Sequence, residues 1–170
     1  MTGEDPDQPQ APHHTGGSRG NAAMEPGRSV LAGTLIGVGM MAAVDEIVFH
    51  QLLAWHHFYD RSTPEIGLFS DGLLHAAQLV FLVAGFFLLA ELRHRQRLGA
   101  RRAWSGFFLG AGGFQVFDGV INHKVLRVHQ VRYDVENLLP YDLAWISAGV
   151  LLILLGVLLM ARSPSRRRRQ

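Results

Sequence analysis

Residues 30–57, VLAGTLIGVGMMAAVDEIVFHQLLAWHH, join an apolar segment to a group of ionisable side chains. Within this stretch no charged residue occurs before position 45, whereas the remainder carries two adjacent acids and three histidines. An apolar segment of about 20 residues can cross a membrane as a helix. Ionisable residues in such a helix are rare and mark sites with a partner, because lipid does not solvate charge. The stretch therefore predicts a membrane helix that ends in a polar site.

Three more apolar segments follow the first. The four predicted spans cover residues 30–53, 72–92, 103–126 and 141–161. The second and fourth are nearly free of charge, whereas polar groups interrupt the first and third. A soluble bundle of 170 residues could not bury helices that are apolar on every side. We therefore predict an all-α fold, a four-transmembrane-helix bundle over residues 30–161.

The two ends of the chain differ from this apolar region. Residues 1–29 are rich in proline and glycine and contain no Ile, Leu, Phe or Trp. Such a composition cannot bury a core, so we predict a disordered cytoplasmic tail there. Residues 162–170 form a short basic tail, which we also predict to be cytoplasmic. The chain has no cysteine, which excludes disulfides and thiolate metal sites.

Arginine predicts the orientation of the spans. Five arginines lie in residues 93–102 and five more in residues 162–170, whereas the other two links carry few basic residues. Links that are rich in Lys and Arg stay in the cytoplasm. We therefore predict a multi-pass protein of the cell membrane with both termini cytoplasmic and the two weakly charged links outside.

A comparison of the chain with itself indicates duplication. A shift of 73 residues aligns the first span with the third, and a shift of 71 aligns the second with the fourth. The matched pairs are Gly33 and Gly106, Gly37 and Gly110, Gly39 and Gly112, Asp45 and Asp118, His50 and His123, His56 and His129, Asp71 and Asp142, and Gly85 and Gly156. We predict two duplicated helical hairpins, a parallel repeat about an axis along the membrane normal. The Gly-x3-Gly pairs are expected to pack the first and third spans together.

In this topology the acids and most histidines gather in the outer leaflet. One buried carboxylate costs about 2.5–3.5 kcal/mol on insertion scales, so two at matching depths need partners. Helix bundles build metal sites from carboxylates and histidines, and such a ligand set suits zinc, iron, copper(II) or manganese. The inner candidate ligands are Asp45, His50, His75, Asp118 and His123, and the outer ones are His56, His57, Asp71, His129 and Asp142.

Other interpretations remain open for these residues. Asp71 and Asp142 each precede a predicted helix and could be N-caps. His56 and His57, beside Trp55, could belong to an interfacial aromatic belt. In addition, positions five apart lie about 140° apart around an α-helix, so Asp45 and the histidine five residues later need not face one neighbour.

Two functional alternatives also remain. His50 and His123 could be the axial ligands of a b-type haem in a membrane electron carrier. Alternatively, the intramembrane acids and histidines could form part of a proton or ion relay. Whether the protein is an enzyme stays open. We expect the lipid bilayer as its surroundings, no nucleic-acid partner, and leave a homo-oligomer or a membrane-protein partner open.

Over about residues 31–161 the chain resembles an uncharacterised bacterial family of predicted four-helix membrane proteins, a domain of unknown function. The resemblance rests on the strings VDEIVFHQLLAWHH, DGLLH, FDGVINHKVLRVHQVR and YDLAW. It implies a fold and a location but no activity. The chain departs from the family twice: Glu46 replaces a glycine after the first Asp, and the second motif ends in His129-Gln130 where the family has a histidine pair. The second copy of a site is therefore expected to be weaker, with Glu46 adding a carboxylate near the first.

Overall fold

A computed structural model describes residues 23–162, and the rest of the two predicted tails lies outside the described residues. The described chain forms helices and connecting loops without a β-strand, which confirms the all-α prediction. The four α-helices are α1 (Pro26–Val44), α2 (Pro64–His94), α3 (Ala100–Phe117) and α4 (Leu139–Ala161). Residues 26–29, which the sequence analysis assigned to the tail, are part of α1.

Proline begins three of the helices. Pro26, Pro64 and Pro140 each lie at the first or second helical position, where the missing N–H has no partner to lose. The start at Pro64 makes α2 eight residues longer than the apolar run from residue 72 predicted. The extra turns carry Ser70 and Asp71, which accept hydrogen bonds from the backbone amides of Tyr59 and Phe58, respectively.

Both α1 and α3 continue without a break into a π-helical segment. These segments are π1 (Asp45–Leu52) after α1 and π2 (Asp118–Val125) after α3. In π1 the Leu53 amide donates to the Val48 carbonyl, so its hydrogen bonds span five residues instead of four. This wider winding brings side chains five positions apart onto one face of the segment.

The helices pack in a row in the order α2, α1, α3 and α4, with α1 and α3 at the centre. The backbones of the central pair touch. A Cβ atom added at Gly33 would overlap the carbonyl oxygen of Ala103, and one added at Gly106 would overlap that of Val30. Only glycine permits such an approach between helices. The expected packing role of the Gly-x3-Gly pairs is therefore confirmed.

Three of the four helices are long and apolar enough to cross a membrane: α1 together with π1, α2, and α4. The outer helices expose large apolar side chains, such as Phe87 of α2 at 74% and Leu151 of α4 at 65%, as lipid-facing helices do. α3 does not meet the same standard, since Arg101 and Arg102 lie in its first turn and Gln115 near its end. That α3 is a fourth span stays a prediction.

Candidate metal centre

The far ends of α1 and α3 meet at a buried group of ionisable side chains, which we call the His/carboxylate cluster. π1, π2, the loops that follow them and the start of α2 contribute its members. Each member is at most 6% exposed. The members are Asp45, Glu46, His50, His56, Asp71, Asp118, His123 and His129.

One half of the cluster is a triad of Asp45, His50 and His56. The Nε2 atom of His50 lies 3.6 Å from Asp45 Oδ2, and the Nε2 atom of His56 lies 4.0 Å from Asp45 Oδ1. On an α-helix Asp45 and His50 would diverge, but the π-helical winding of π1 aligns residues five apart. α-Helical spacing left open whether these two side chains face one neighbour, and the structure shows that they contact each other.

The other half repeats this triad with Asp118, His123 and His129. The Nε2 atoms of His123 and His129 lie 3.0 Å from Asp118 Oδ2 and 3.4 Å from Asp118 Oδ1, respectively. Asn122 donates a hydrogen bond of 2.9 Å to Asp118 Oδ1 and fixes this carboxylate. Both halves therefore place two imidazole nitrogens around one aspartate.

A histidine in each of the loops after π1 and π2 is hydrogen-bonded to the backbone of the other loop. The Nδ1 atom of His56 lies 2.9 Å from the Val131 carbonyl oxygen, and that of His129 lies 2.8 Å from the Phe58 carbonyl oxygen. A carbonyl only accepts, so each Nδ1–H donates and each Nε2 presents a lone pair to the cluster. Burial, and then the neighbouring histidine rings, lowers the pKa of His56 to about 2, which keeps this ring neutral.

Two carboxylates orient His50 from the Nδ1 side of its ring. Glu46 Oε2 lies 3.0 Å and Asp71 Oδ1 3.1 Å from His50 Nδ1, so this nitrogen carries the proton and Nε2 faces Asp45. Asp71 also lies 2.6 Å from His57 Nδ1 through its other oxygen. This arrangement is the carboxylate–histidine pairing that orients metal ligands in proteins.

Many polar atoms of the cluster lack a hydrogen-bond partner within the described residues. They are both carboxylate oxygens of Asp45, Asp118 Oδ2, both ring nitrogens of His123, and the Nε2 atoms of His50, His56 and His129. The contact of 3.0 Å between Asp118 Oδ2 and His123 Nε2 does not have the angles of a hydrogen bond. Buried polar atoms in proteins are nearly always satisfied. All of these atoms are of the types that ligate divalent metals, so the residues fit a bound cation.

Three overlapping groups in the described chain bring ligand atoms within 4.8 Å of one another. The groups are His56, His123 and His129; Asp45, His50 and His56; and Glu46, His50 and Asp71. They include seven of the ten predicted ligands when Asp118, which contacts both His123 and His129, is counted with them. Most of the predicted site is therefore one physical cluster.

Three predicted ligands lie elsewhere. His75 is half-buried, belongs to none of the three groups, and contacts the Gln78 amide 2.9 Å away. Asp142 pairs with Lys124. The side chain of His57 is 37% exposed and reaches the cluster only through Asp71.

Two alternative readings of single residues are wrong. Asp71 and Asp142 are not N-caps: each lies inside its helix, because α2 and α4 begin earlier than the apolar runs do. His56 is not an interfacial residue, since it is only 6% exposed and its ring is enclosed by the cluster.

Glu46 was expected to add a carboxylate near the first copy of the site, although it was not counted among the ligands. It is fully buried against His50. The two residues are four positions apart, a spacing that places side chains together on a helix.

An apolar cavity of about 710 Å³ lies beside the cluster, between α1 with π1 and α4. Trp145 separates the two: its ring lines the cavity, and its centroid is 6.3 Å from that of His123. The guanidinium of Arg132 lies over the ring of Trp55, which also lines the cavity, at 4.8 Å from its centroid. The cluster is thus shielded on this side by rings.

A family model described as "Predicted membrane protein (DUF2243)" matches residues 32–163. No curated protein and no solved structure matches the chain. The matched region contains every member of the His/carboxylate cluster.

Proposed function

Since the chain belongs to this DUF2243 family of predicted membrane proteins, we propose that it is an integral membrane protein that binds a transition metal in its His/carboxylate cluster. The observation that carries the proposal is the set of buried carboxylate oxygens and imidazole nitrogens without hydrogen-bond partners among the described residues. Carboxylate oxygens and imidazole nitrogens of this kind donate lone pairs to a divalent cation, and bound cations offset the cost of keeping carboxylates out of water.

The proposal locates this site at the extracytoplasmic end of the bundle. At the start of α1, Glu25 pairs with Arg97 of the arginine-rich link at 2.7 Å, so that link and this helix end lie together. α1 has 19 residues, which span about 28 Å, close to the thickness of the hydrocarbon core. A cytoplasmic link of arginines therefore leaves Asp45 at the outer boundary of the membrane.

Duplication of a helical hairpin is the second part of the proposal, with α3 as a fourth span. Several features recur at one offset of 73 residues: the starts of π1 and π2, and the positive φ angles of Ala54 and Arg127. The loop contacts are reciprocal as well, since His56 bonds to Val131 and His129 to Phe58, the residues at matching positions. Reciprocal contacts of this kind are those expected across a two-fold axis.

The donor set limits the choice of metal. Imidazole nitrogens and carboxylate oxygens suit zinc, iron, copper(II) and manganese, and no cysteine is present to favour a soft ion. When bound, such an ion supplies Lewis acidity or redox chemistry at its open positions. The chain's own contribution is to fix the ligand orientations and, through Trp145, to limit access from the lipid side.

The haem alternative requires a flat space for the porphyrin between His50 and His123. The ring of His56 lies 4.5 Å from that of His50 and 6.1 Å from that of His123, measured between centroids. The ring of His129 lies 6.1 Å and 4.7 Å from the same two rings. Two imidazoles therefore fill the region that haem would occupy, which favours a bare ion.

The relay alternative requires ionisable groups through the depth of the membrane. Among the described residues, every buried ionisable side chain belongs to the His/carboxylate cluster. The buried polar residues nearer the arginine-rich end include Ser29 and Ser105, which carry no charge. The proposal is therefore a localised site at one end of the bundle.

Elemental analysis of the full chain tests the proposal. The protein is purified in detergent, incubated with zinc chloride and dialysed against metal-free buffer. We expect retained zinc in the wild type and in the control His94→Ala, and none in the double variant His50→Ala/His123→Ala. A wild type that retains no zinc, iron, copper or manganese would contradict a metal site, and an absorption band of haem lost in the double variant would support the haem alternative instead.

A further inference from the structure

We propose that the cluster binds two metal ions, one in the triad of Asp45, His50 and His56 and one in the triad of Asp118, His123 and His129. This inference rests on the proposed metal site and adds its nuclearity. A single ion would be the simpler arrangement, but one ion does not satisfy the cluster. The number of ligand atoms, the charge of the carboxylates and the symmetry of the two triads each favour two ions.

The ligand atoms divide into two sets, one for each ion, and no atom belongs to both sets. Each imidazole nitrogen binds one ion, yet His56 occurs in two of the three ligand groups and offers only its Nε2 atom, because Nδ1 donates to Val131. His56 therefore serves Asp45 and His50 or serves His123 and His129, not both. If it serves the first set, Asp118 completes the second with contacts of 3.0 and 3.4 Å to the two histidines.

The third ligand group does not add a further ion. The Nδ1–H group of His50 donates to Glu46 and Asp71, while the Nε2 atom of the same ring faces Asp45. The pair therefore orients His50 and strengthens it as a ligand.

Charge balance also favours two ions. Four carboxylates are buried in the cluster, and no Lys or Arg is buried anywhere in residues 23–162. The four are Asp45, Glu46, Asp71 and Asp118. If the ligating histidines are neutral, one divalent ion leaves about two negative charges uncompensated in this buried site, whereas two ions balance all four carboxylates.

The geometry places the two centres side by side. The rings of His56 and His129, one from each triad, stack in parallel with 4.6 Å between centroids. Asp45 and Asp118 begin π1 and π2, so the two carboxylates enter the cluster from matching positions. Two-metal sites in proteins hold their ions about 3.5–4 Å apart, and the stacked rings set a spacing of this order.

Zinc stoichiometry of the full chain in detergent tests the inference. We expect about two zinc ions per wild-type chain. The matched variants Asp45→Asn/His50→Gln and Asp118→Asn/His123→Gln should each retain about one, and the His94→Gln control about two. One zinc per wild-type chain that either paired variant abolishes would overturn the inference and leave the metal site standing. No zinc in the wild type would overturn both.

A second measurement does not depend on the folding of variants. Copper(II) replaces zinc in the wild-type chain, and electron paramagnetic resonance is recorded at saturation. Two neighbouring copper ions couple and give a half-field signal, which we expect. A spectrum of isolated copper at saturation, without that signal, would overturn the inference.

Discussion

The imidazole rings of His56 and His129 lie stacked in parallel, with 4.6 Å between their centroids and 7° between their planes. Each ring is anchored by the other loop, through Val131 and Phe58 respectively. The stack therefore joins the two halves of the protein at the point where their polar groups meet. Several measurable properties depend on this junction.

The first prediction concerns the residue that orients His50. Replacing Asp71 with Asn weakens its hydrogen bonds to both His50 and His57 and should lower zinc affinity about 10- to 100-fold, the usual effect of losing such a partner. Asp142→Asn is the matched control, since Asp142 pairs with Lys124 instead. Competition titration with a zinc chelator measures the affinities. Equal losses in the two variants would show that Asp71 has no special role.

The second prediction uses Trp145 as a reporter. Its ring centroid lies 6.3 Å from that of His123, so copper(II) bound in the cluster should quench its fluorescence strongly. The Trp145→Phe variant should lose the share of copper-dependent quenching that comes from Trp145, while Trp55, next to His56 in the chain, keeps its own. Trp104→Phe should keep the quenching of the wild type, because Trp104 lies in the first turns of α3, at the opposite end from π2. Quenching that is unchanged in Trp145→Phe would place the copper elsewhere.

The third prediction concerns the contact between α1 and α3. Gly33→Ala adds a Cβ that overlaps the Ala103 carbonyl, so the helices must separate, which should cost about 1–3 kcal/mol or more. Gly113→Ala is the control, because nothing lies within 4 Å of its Cβ and alanine is the better helix former. Thermal unfolding in detergent should show a lower midpoint only for Gly33→Ala. An unchanged midpoint would mean that the backbones do not touch at Gly33.

The fourth prediction concerns topology. Reporters that are active only outside the cytoplasm are fused after residues 63, 98, 135 and 170. We expect activity at 63 and 135 and none at 98 and 170, because both arginine clusters belong to the cytoplasmic side. Activity at 98 would place the arginine-rich link outside and invert the proposed position of the cluster.

The sequence was sufficient to predict an all-helical chain and to include seven of the eight cluster members among the ten candidate ligands. Apolar runs of membrane length depend only on local composition, and α2 and α4 follow them closely apart from their first turns. The acids and histidines could be assigned to one end because successive antiparallel helices bring alternate links to the same end of a bundle. Helix positions and the end of the bundle at which a residue lies follow from the order of residues along the chain, so they do not depend on how side chains pack.

What the sequence did not predict depends on backbone winding and on distant contacts. Asp45 and His50 meet because π1 is π-helical, and periodicity arguments assume an α-helix. His56 was placed in the outer set, but the carbonyl of Val131, 75 positions away, turns its ring into the centre. His75 was placed in the inner set from its depth alone, and its ring faces Gln78 instead. Depth along a helix is readable from sequence, whereas the direction of a side chain is not.

The crossed anchoring of the two loops has a consequence for how the protein is made. Because His56 depends on Val131 for its orientation, the first hairpin leaves the ribosome with its ligands unpositioned. The cluster can therefore form only after synthesis has passed residue 131. A chain cut between the two hairpins should therefore insert and yet remain free of metal, and co-expression of the missing hairpin should restore loading.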